Sequence, residues 1–90
     1  MTTTITLLTK ADCTLCEQAK GVLDRLAADY GLVVEVVPVD TPDGAAIAVR
    51  SGMAFPPAVL LDGEPFSYGR LSERRLRKEL DGRARTGSNT

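Results

Sequence analysis

The sequence predicts one α/β domain whose elements follow the order β-α-β-α-β-β-α, with a four-stranded mixed sheet and helices on both faces. Three observations lead to this prediction. A chain of 90 residues has room for one modest core. Its apolar residues alternate between strand-like and helix-like periods. An Asp-Gly pair at 62–63 separates two apolar runs, which is typical of a hairpin. A β-α-β unit implies a right-handed parallel pair, and the hairpin adds an antiparallel pair.

The first strand and helix are joined by a short loop. Thr4–Thr9 is rich in β-branched residues and leucine, without Gly or Pro, which predicts a strand. After a loop at 10–12, Asp12 is a good N-cap for a helix whose first turn contains Cys13. Gly31 lies where a helix C-terminus favours glycine. The apolar residues recur on one helical face: Cys16, Ala19, Leu23, Leu26 and Tyr30.

The second strand is predicted over 32–39, a nearly continuous apolar run interrupted by Glu35. Pro38 cannot donate to a strand ladder, which indicates a strand at the edge of the sheet. Thr41 followed by Pro42 predicts the start of the second helix, because the first is a cap and the second fits the first helical position. Gly52 ends this helix.

The third and fourth strands form the predicted hairpin. Residues 55–57, Phe-Pro-Pro, make a rigid connector that cannot be helical. Ala58–Leu61 is the third strand, and Glu64–Tyr68 is the fourth and runs antiparallel to it. Pro65 marks the fourth strand as a second edge.

The last helix is predicted to follow a break at Gly69. Ser72 caps this helix, and Leu76 and Leu80 point inward. The domain then covers residues 1–81. Residues 82–90 are mostly Gly, Arg, Ser and Thr, which predicts a disordered tail.

Composition excludes several function classes. The formal net charge of −1 predicts no general affinity for nucleic acid or for membranes. No basic region precedes an apolar stretch at the N-terminus, and no apolar run is long enough to span a membrane, so we expect a cytoplasmic protein. Thiols stay reduced in that compartment, which favours a catalytic or metal-binding role for the two cysteines. With no histidine, a zinc site would need carboxylates or a second chain.

Cys13 and Cys16 form a C-x-x-C motif where a strand gives way to a helix. Unpaired N–H groups and the helix dipole favour an anion there, so the pKa of Cys13 is expected to be lowered. We therefore predict that Cys13 attacks a disulfide and that Cys16, one turn deeper, resolves the mixed disulfide. Lys10 favours the thiolate by its charge, and Asp12 opposes it. Three alternatives stay open: half of a zinc site, two core cysteines without chemistry, and an iron–sulfur bridge between two chains.

From Thr4 to about Leu80 the chain resembles the glutaredoxin family of the thioredoxin superfamily. The resemblance is carried by the segment 10–16, by the segment 57–64, and by a glycine-containing turn before the last helix. It implies a thioredoxin fold and a cis-proline that lies against the cysteines. Pro57 matches that position, and Pro56 is the alternative one residue earlier.

The chain departs from glutathione-binding glutaredoxins at three places. Thr14 and Leu15 stand where the family usually has Pro-Tyr, which leaves the reduction potential open. Pro56 precedes the matching proline and has no N–H, so one hydrogen bond to an extended substrate should be missing. The usual Gly-Gly turn followed by acidic residues is absent before the last helix. In this turn Ser72 either only caps the last helix, or it lies at a helix N-terminus that binds a carboxylate.

Charge is unevenly distributed along the chain. Residues 1–69 hold four basic and nine acidic residues, and residues 70–90 hold seven basic and three acidic ones, which gives −5 against +4. The basic residues of the last helix favour either a solvated face or a docking patch for an acidic partner. Nucleic-acid binding is not expected, because no aromatic residues are interleaved with these charges.

These observations predict a small thiol–disulfide oxidoreductase of glutaredoxin type, with a redox-active disulfide and no cofactor. We expect it to be a monomer that reduces a protein or small-molecule disulfide and is itself reduced by glutathione or by a reductase. The alternatives are a binding module in which the cysteines hold a metal or form a passive pair, and a redox sensor dedicated to one enzyme. Besides the two catalytic cysteines, the residues expected to contact substrate are Lys10, Thr14, Leu15, Pro56, Pro57 and Ser72.

Overall fold

The structure, a computed structural model, describes residues 3–53 and 55–88. Its elements follow the predicted β-α-β-α-β-β-α order. They are β1 (Thr4–Thr9), α1 (Thr14–Tyr30), β2 (Val33–Pro38), α2 (Pro42–Ser51), β3 (Ala58–Leu61), β4 (Glu64–Tyr68) and α3 (Glu73–Ser88). No helix in the described part of the chain is both long and apolar enough to cross a membrane.

The four strands form one mixed sheet in the order β2-β1-β3-β4. β1 runs parallel to β2 and antiparallel to β3, and β3 runs antiparallel to β4. The strands that contain Pro38 and Pro65 are the two edges of the sheet, as predicted. A proline has no N–H to donate to a neighbouring strand, so it is tolerated at an edge. β2 is one residue shorter at each end than the predicted 32–39.

Helices cover both faces of the sheet, which confirms the predicted architecture. α1 and α3 pack on one face through a core that includes Ile5, Leu23 and Leu76. α2 and the segment after it cover the other face through a smaller core that includes Leu8 and Met53. Burial on both faces explains why every residue of the central strand β3 is buried and apolar.

The start of α1 differs from the prediction. Asp12 is not the N-cap: its backbone lies in the left-handed region, at φ 53°. An N-cap needs extended backbone, which Cys13 has at φ −116° and ψ 105°. Cys13 is therefore the N-cap, and it lies just before the first helical turn rather than in it. Gly31 adopts the left-handed conformation at the other end, as expected.

α2 begins and ends as predicted. The Thr41 hydroxyl accepts a hydrogen bond from the Gly44 N–H at 3.1 Å, and Gly52 closes the helix with a left-handed backbone. Gly44 packs directly on the end of β2, because a Cβ there would overlap the carbonyl group of Pro38. This close approach positions α2 against the sheet.

α3 begins after Ser72, whose hydroxyl accepts a hydrogen bond from the Arg75 N–H at 3.2 Å. Leu76 and Leu80 are buried, as predicted. The helix continues to Ser88, where the sequence predicts a disordered tail over 82–90. A physical reason for the longer helix is the pair of ionic contacts that Arg83 makes beyond the predicted end. Residues 89–90 of the predicted tail lie outside the described residues.

Ion pairs on the surface join α1 to α3. Glu73 accepts hydrogen bonds from Arg25 at 2.7 Å and from Arg77 at 3.0 Å, and these bonds lower the pKa of Glu73. Tyr30 donates to Asp81 at 2.7 Å, and this bond raises the pKa of Tyr30. These contacts hold the N-terminal part of α3 beside the C-terminal half of α1.

Candidate functional site

Three loops meet at one end of the sheet. β1 ends just before the cysteine loop, and Leu8 of β1 pairs with Ala58, the first residue of β3. Ala58 also pairs with Tyr68, the last residue of β4. The Gly69 N–H donates to the Pro57 carbonyl at 2.8 Å, which ties the β4–α3 loop to the segment before β3. We call this end, with residues 10–16, 55–57 and 68–72, the redox end.

The two cysteines form a disulfide at the redox end, with their Cα atoms 5.2 Å apart. The sulfur of Cys13 also accepts a hydrogen bond from the backbone N–H of Cys16 at 3.1 Å. This sulfur occupies the place that a capping oxygen takes in other helices. A helix N-terminus favours negative charge, so the same position would stabilise a Cys13 thiolate after reduction.

The two sulfurs differ in their access to solvent. Cys13 is half-buried, whereas Cys16 is only 2% exposed. Cys16 lies on the buried face of α1 together with Ala19 and Leu23. Cys13 is thus the more exposed member of the pair. The order of attack expected from the sequence stays a prediction.

The peptide bond between Pro56 and Pro57 is cis, so Pro57 is the cis-proline that the resemblance implies. Pro57 is buried and Pro56 is half-buried. Because Pro56 has no N–H, its carbonyl is the only backbone hydrogen-bonding group that it offers to a substrate strand. Phe55, just before it, is 73% exposed, although it is a large apolar side chain.

The remaining predicted contact residues surround the cysteines or border the β4–α3 loop. Lys10 and Thr14 are exposed, and Leu15 is half-buried, all within the cysteine segment. Ser72 is exposed at the start of α3, on the other side of Pro57. The fold thus brings all the predicted site residues to the redox end. Their contact with a substrate stays a prediction.

Sequence reasoning missed a cleft of about 420 Å³ that follows the β4 edge of the sheet. Of its lining residues, only Ser72 was predicted from the sequence to contact substrate. Two features of the sequence indicate this cleft. Pro65 marks β4 as an open edge, and basic residues follow β4. The cleft is lined by Ser51, Gly52, Met53, Pro65, Phe66, Ser67, Tyr68, Arg70, Ser72 and Arg75.

Metal binding is the alternative chemistry for the two cysteines. Within residues 3–53 and 55–88, no group of three or more His, Cys, Asp or Glu side chains is placed to hold a metal ion. In this structure the two cysteine sulfurs are bonded to each other. The redox end thus holds a disulfide and a cis-proline, and a basic cleft borders it at Tyr68, Arg70 and Ser72.

A family model described as "Glutaredoxin-like domain (DUF836)" matches residues 4–81. Two curated relatives are "Uncharacterized protein Rv0508" of Mycobacterium tuberculosis (strain ATCC 25618 / H37Rv) and "Uncharacterized protein Mb0520" of Mycobacterium bovis. Each is 33% identical over 81 residues, which cover 84% of this chain and 80% of the relative. The chain belongs to the glutaredoxin-like DUF836 family.

Solved structures show the same fold. A mutant thioredoxin from Halobacterium salinarum NRC-1 matches with a TM-score of 0.72 and 23% identity, over 89% of this chain and 73% of that one. An uncharacterized thioredoxin-like protein from Clostridium perfringens matches with a TM-score of 0.74 and 14% identity, over 90% of this chain and 70% of that one. The expected thioredoxin fold is therefore confirmed.

Proposed function

We propose that this member of the glutaredoxin-like DUF836 family is a thiol–disulfide oxidoreductase that reduces disulfides through Cys13 and Cys16. One observation carries the proposal. The two cysteines lie within bonding distance at the N-terminus of α1, with one sulfur accessible and capped by a backbone N–H and the other buried. A pair of structural cysteines would need neither this difference in access nor a place at a helix N-terminus.

In the first step of the proposed reaction, the Cys13 thiolate attacks one sulfur of a substrate disulfide. A bond forms between the two sulfurs, and the substrate disulfide breaks. The second substrate sulfur leaves as a thiolate and takes up a proton. The Cys16 N–H, which already points at the Cys13 sulfur at 3.1 Å, favours the thiolate needed for this attack.

In the second step, Cys16 loses its proton and attacks the Cys13 sulfur of the mixed disulfide. The intramolecular disulfide forms, the bond between Cys13 and the substrate breaks, and the substrate sulfur that was bonded to Cys13 leaves as a thiolate and takes up a proton. Two electrons have then passed from the protein to the substrate. The Cα atoms of the two cysteines are 5.2 Å apart, within the range that a disulfide requires, so this step needs little backbone movement.

The substrate would lie across the redox end next to Pro57. The Pro56 carbonyl can accept one hydrogen bond from an extended segment, and Thr14 and Leu15 are placed beside the accessible sulfur. Lys10 adds a positive charge in the same loop, and Ser72 borders the far side. We propose these residues as the substrate contacts.

An external thiol must restore the dithiol after each cycle. Glutathione or a flavin-dependent reductase would supply the two electrons, and a reducing compartment such as the cytoplasm would keep the pair in its active form. We also propose that the protein acts as a monomer, since the cycle uses only the two cysteines of one chain.

The test is to trap the mixed disulfide. The variant Cys16→Ser keeps the attacking thiol and lacks the resolving one, so it should accumulate a covalent adduct with a disulfide peptide, visible by mass spectrometry without reductant. The matched control, Cys13→Ser, should form none, because its remaining thiol is buried.

The opposite results would remove the proposal. If Cys16→Ser forms no adduct with any disulfide, Cys13 is not a nucleophile, and the binding module becomes the better hypothesis. If both variants form adducts equally well, the assigned order of attack is wrong.

A further inference from the structure

The cleft along β4 carries positive charge without matching carboxylates. Arg70 and Arg75 are among its lining residues, and none of the residues that line it is acidic. This charge is local, because residues 1–69 of the chain have a formal charge of −5. A partner with negative charge would be attracted here and repelled by much of the remaining surface.

Three other arginines of α1 and α3 already have carboxylate partners. Arg25 and Arg77 contact Glu73, and Arg83 contacts Asp62 and Glu79. Among the described residues, neither Arg70 nor Arg75 forms an ion pair. The basic residues around α3 therefore include a set with carboxylate partners and a pair, Arg70 and Arg75, that faces the cleft, while Arg74 and Lys78 are exposed outside it.

Arg75 is held in position by a ring rather than by a carboxylate. Its guanidinium group lies 5.6 Å from the centroid of the Phe66 ring, which also lines the cleft. A guanidinium stacked on an aromatic face keeps its donors for another group. Ser67 also lines the cleft, and its buried hydroxyl has no hydrogen-bond partner among the described residues.

The cleft begins at the redox end and leads away from it. Tyr68 and Arg70 lie on either side of Gly69, whose N–H donates a hydrogen bond to the Pro57 carbonyl at the redox end. Pro65 lies at the other end of the part of β4 that lines the cleft. Four strand residues span roughly 10 Å. An occupant joined to Cys13 through its sulfur and reaching Pro65 must be extended and several residues long.

Backbone pairing alone would not select that occupant. Pro65 has no N–H, so the β4 edge cannot offer a continuous ladder to an added strand. Selection must then depend on side chains, of which Tyr68 is 68% exposed and the two arginines are charged. The cleft therefore presents an aromatic surface at Tyr68 and positive charge at Arg70 and Arg75.

We propose that this cleft binds an acidic segment of a polypeptide substrate, close in sequence to the disulfide that the protein reduces. The inference rests on the proposed function, because it names the class of substrate that the redox pair serves. Carboxylates of the partner pair with Arg70 and Arg75, and the partner backbone passes Tyr68 on its way to Cys13. A tripeptide thiol such as glutathione would not fill a cleft that extends away from the cysteines.

The experiment compares three mixed disulfides of one chromogenic thiol. Two are peptides that differ only in three Glu or three Gln residues beside the cysteine, and the third is glutathione. The reduced protein should release the chromophore from the Glu peptide roughly three to ten times faster than from the Gln peptide, since two exposed ion pairs contribute about that factor. This preference should fall in about 1 M salt, where the screening length is about 3 Å.

A pair of matched double variants locates the effect. Arg70→Gln with Arg75→Gln should abolish the preference. Arg74→Gln with Lys78→Gln removes the same charge from exposed positions outside the cleft and should retain it. Both double variants should still form the Cys13–Cys16 disulfide and should unfold at similar urea concentrations, which shows that the redox pair and the fold are intact.

Three results would overturn the inference: equal rates for the Glu and Gln peptides, equal loss of preference in both double variants, or faster release from glutathione than from the Glu peptide. Binding of a Glu peptide with Ser in place of its cysteine is measured separately by fluorescence anisotropy. If the Arg70/Arg75 double variant alone weakens this binding and no substrate releases chromophore, the cleft assignment stands and the proposed redox function fails.

Discussion

The two ends of the sheet are built differently. At the far end, the Thr4 N–H donates to the Asp62 side chain at 2.8 Å, and the Asp62 N–H donates back to the Thr4 carbonyl at 2.7 Å. Arg83 from α3 adds an ion pair to the same aspartate at 3.3 Å. The redox end instead has two exposed aromatic side chains, Phe55 and Tyr68, a cis Pro-Pro bond, and Arg70, which forms no ion pair among the described residues.

The difference indicates where stability and binding are located. Groups at the far end satisfy one another, so they have little left to offer a ligand. Groups at the redox end keep hydrogen-bonding capacity and exposed apolar surface that a partner can use. Changes at the far end should therefore alter the free energy of unfolding and spare activity, and changes at the redox end should do the reverse.

A core substitution sets the scale for this comparison, because it weakens both ends together. Leu76 is fully buried where α3 packs on the sheet. Leu76→Ala should lower the free energy of unfolding by about 2–5 kcal/mol, from lost apolar contact and the cavity that remains. Urea denaturation measures it. The control Val49→Ala, at a side chain that is 85% exposed, should change it by less than about 0.5 kcal/mol. Equal effects of the two substitutions would contradict the assigned core.

Asp62→Ala tests the far end directly. It removes the acceptor for the Thr4 N–H and the partner of Arg83, and it places alanine at a φ of 50°. The expected loss of stability is about 1–2 kcal/mol. The rate of disulfide reduction should stay unchanged.

Asp62→Asn is the matched control for that substitution. Asparagine tolerates the left-handed backbone and can still accept the hydrogen bond, so it loses only the charge. Its stability should fall by a few tenths of a kcal/mol. If Asp62→Ala slowed disulfide reduction as much as it lowered stability, the two ends would be coupled and the comparison would fail.

The fold was predictable because local signals and apolar periodicity agree along most of the chain. The bounds of β3 and β4 follow from an Asp-Gly turn and a buried apolar run. The predicted start of α1 was wrong. Asp12 and Cys13 can both cap a helix, and residue type does not reveal which of the two has a left-handed backbone. The long α3 was missed because the contacts of Arg83 join residues that are distant in sequence.

The candidate site was predictable only in part. The C-x-x-C motif and the resemblance together indicated the cysteines and the proline at 57. The cleft was not foreseen, because it is formed by segments from three parts of the chain that meet around β4. The sequence also showed the excess of basic residues after position 69. It could not show which of them find carboxylates on other elements, and that distinction separates Arg77 from Arg75.

The smallest expected effect concerns the ion pairs between α1 and α3, which lie between the two ends. Hydrogen bonds from Arg25 and Arg77 lower the pKa of Glu73 in the folded protein. A carboxylate with a lowered folded-state pKa stabilises the fold above its unfolded pKa of about 4.3, and this contribution is lost as the pH falls through the folded value. The stability of the native protein should therefore decrease below about pH 4.3 slightly more than that of Glu73→Gln.

The difference should be small, because these side chains are exposed enough for solvent to screen them. Urea midpoints at pH 7 and pH 3 measure this loss of stability. The control is Asp24→Asn, which removes an exposed carboxylate of α1. An identical acid loss in the native protein and Glu73→Gln would mean that these ion pairs do not stabilise the contact between the helices.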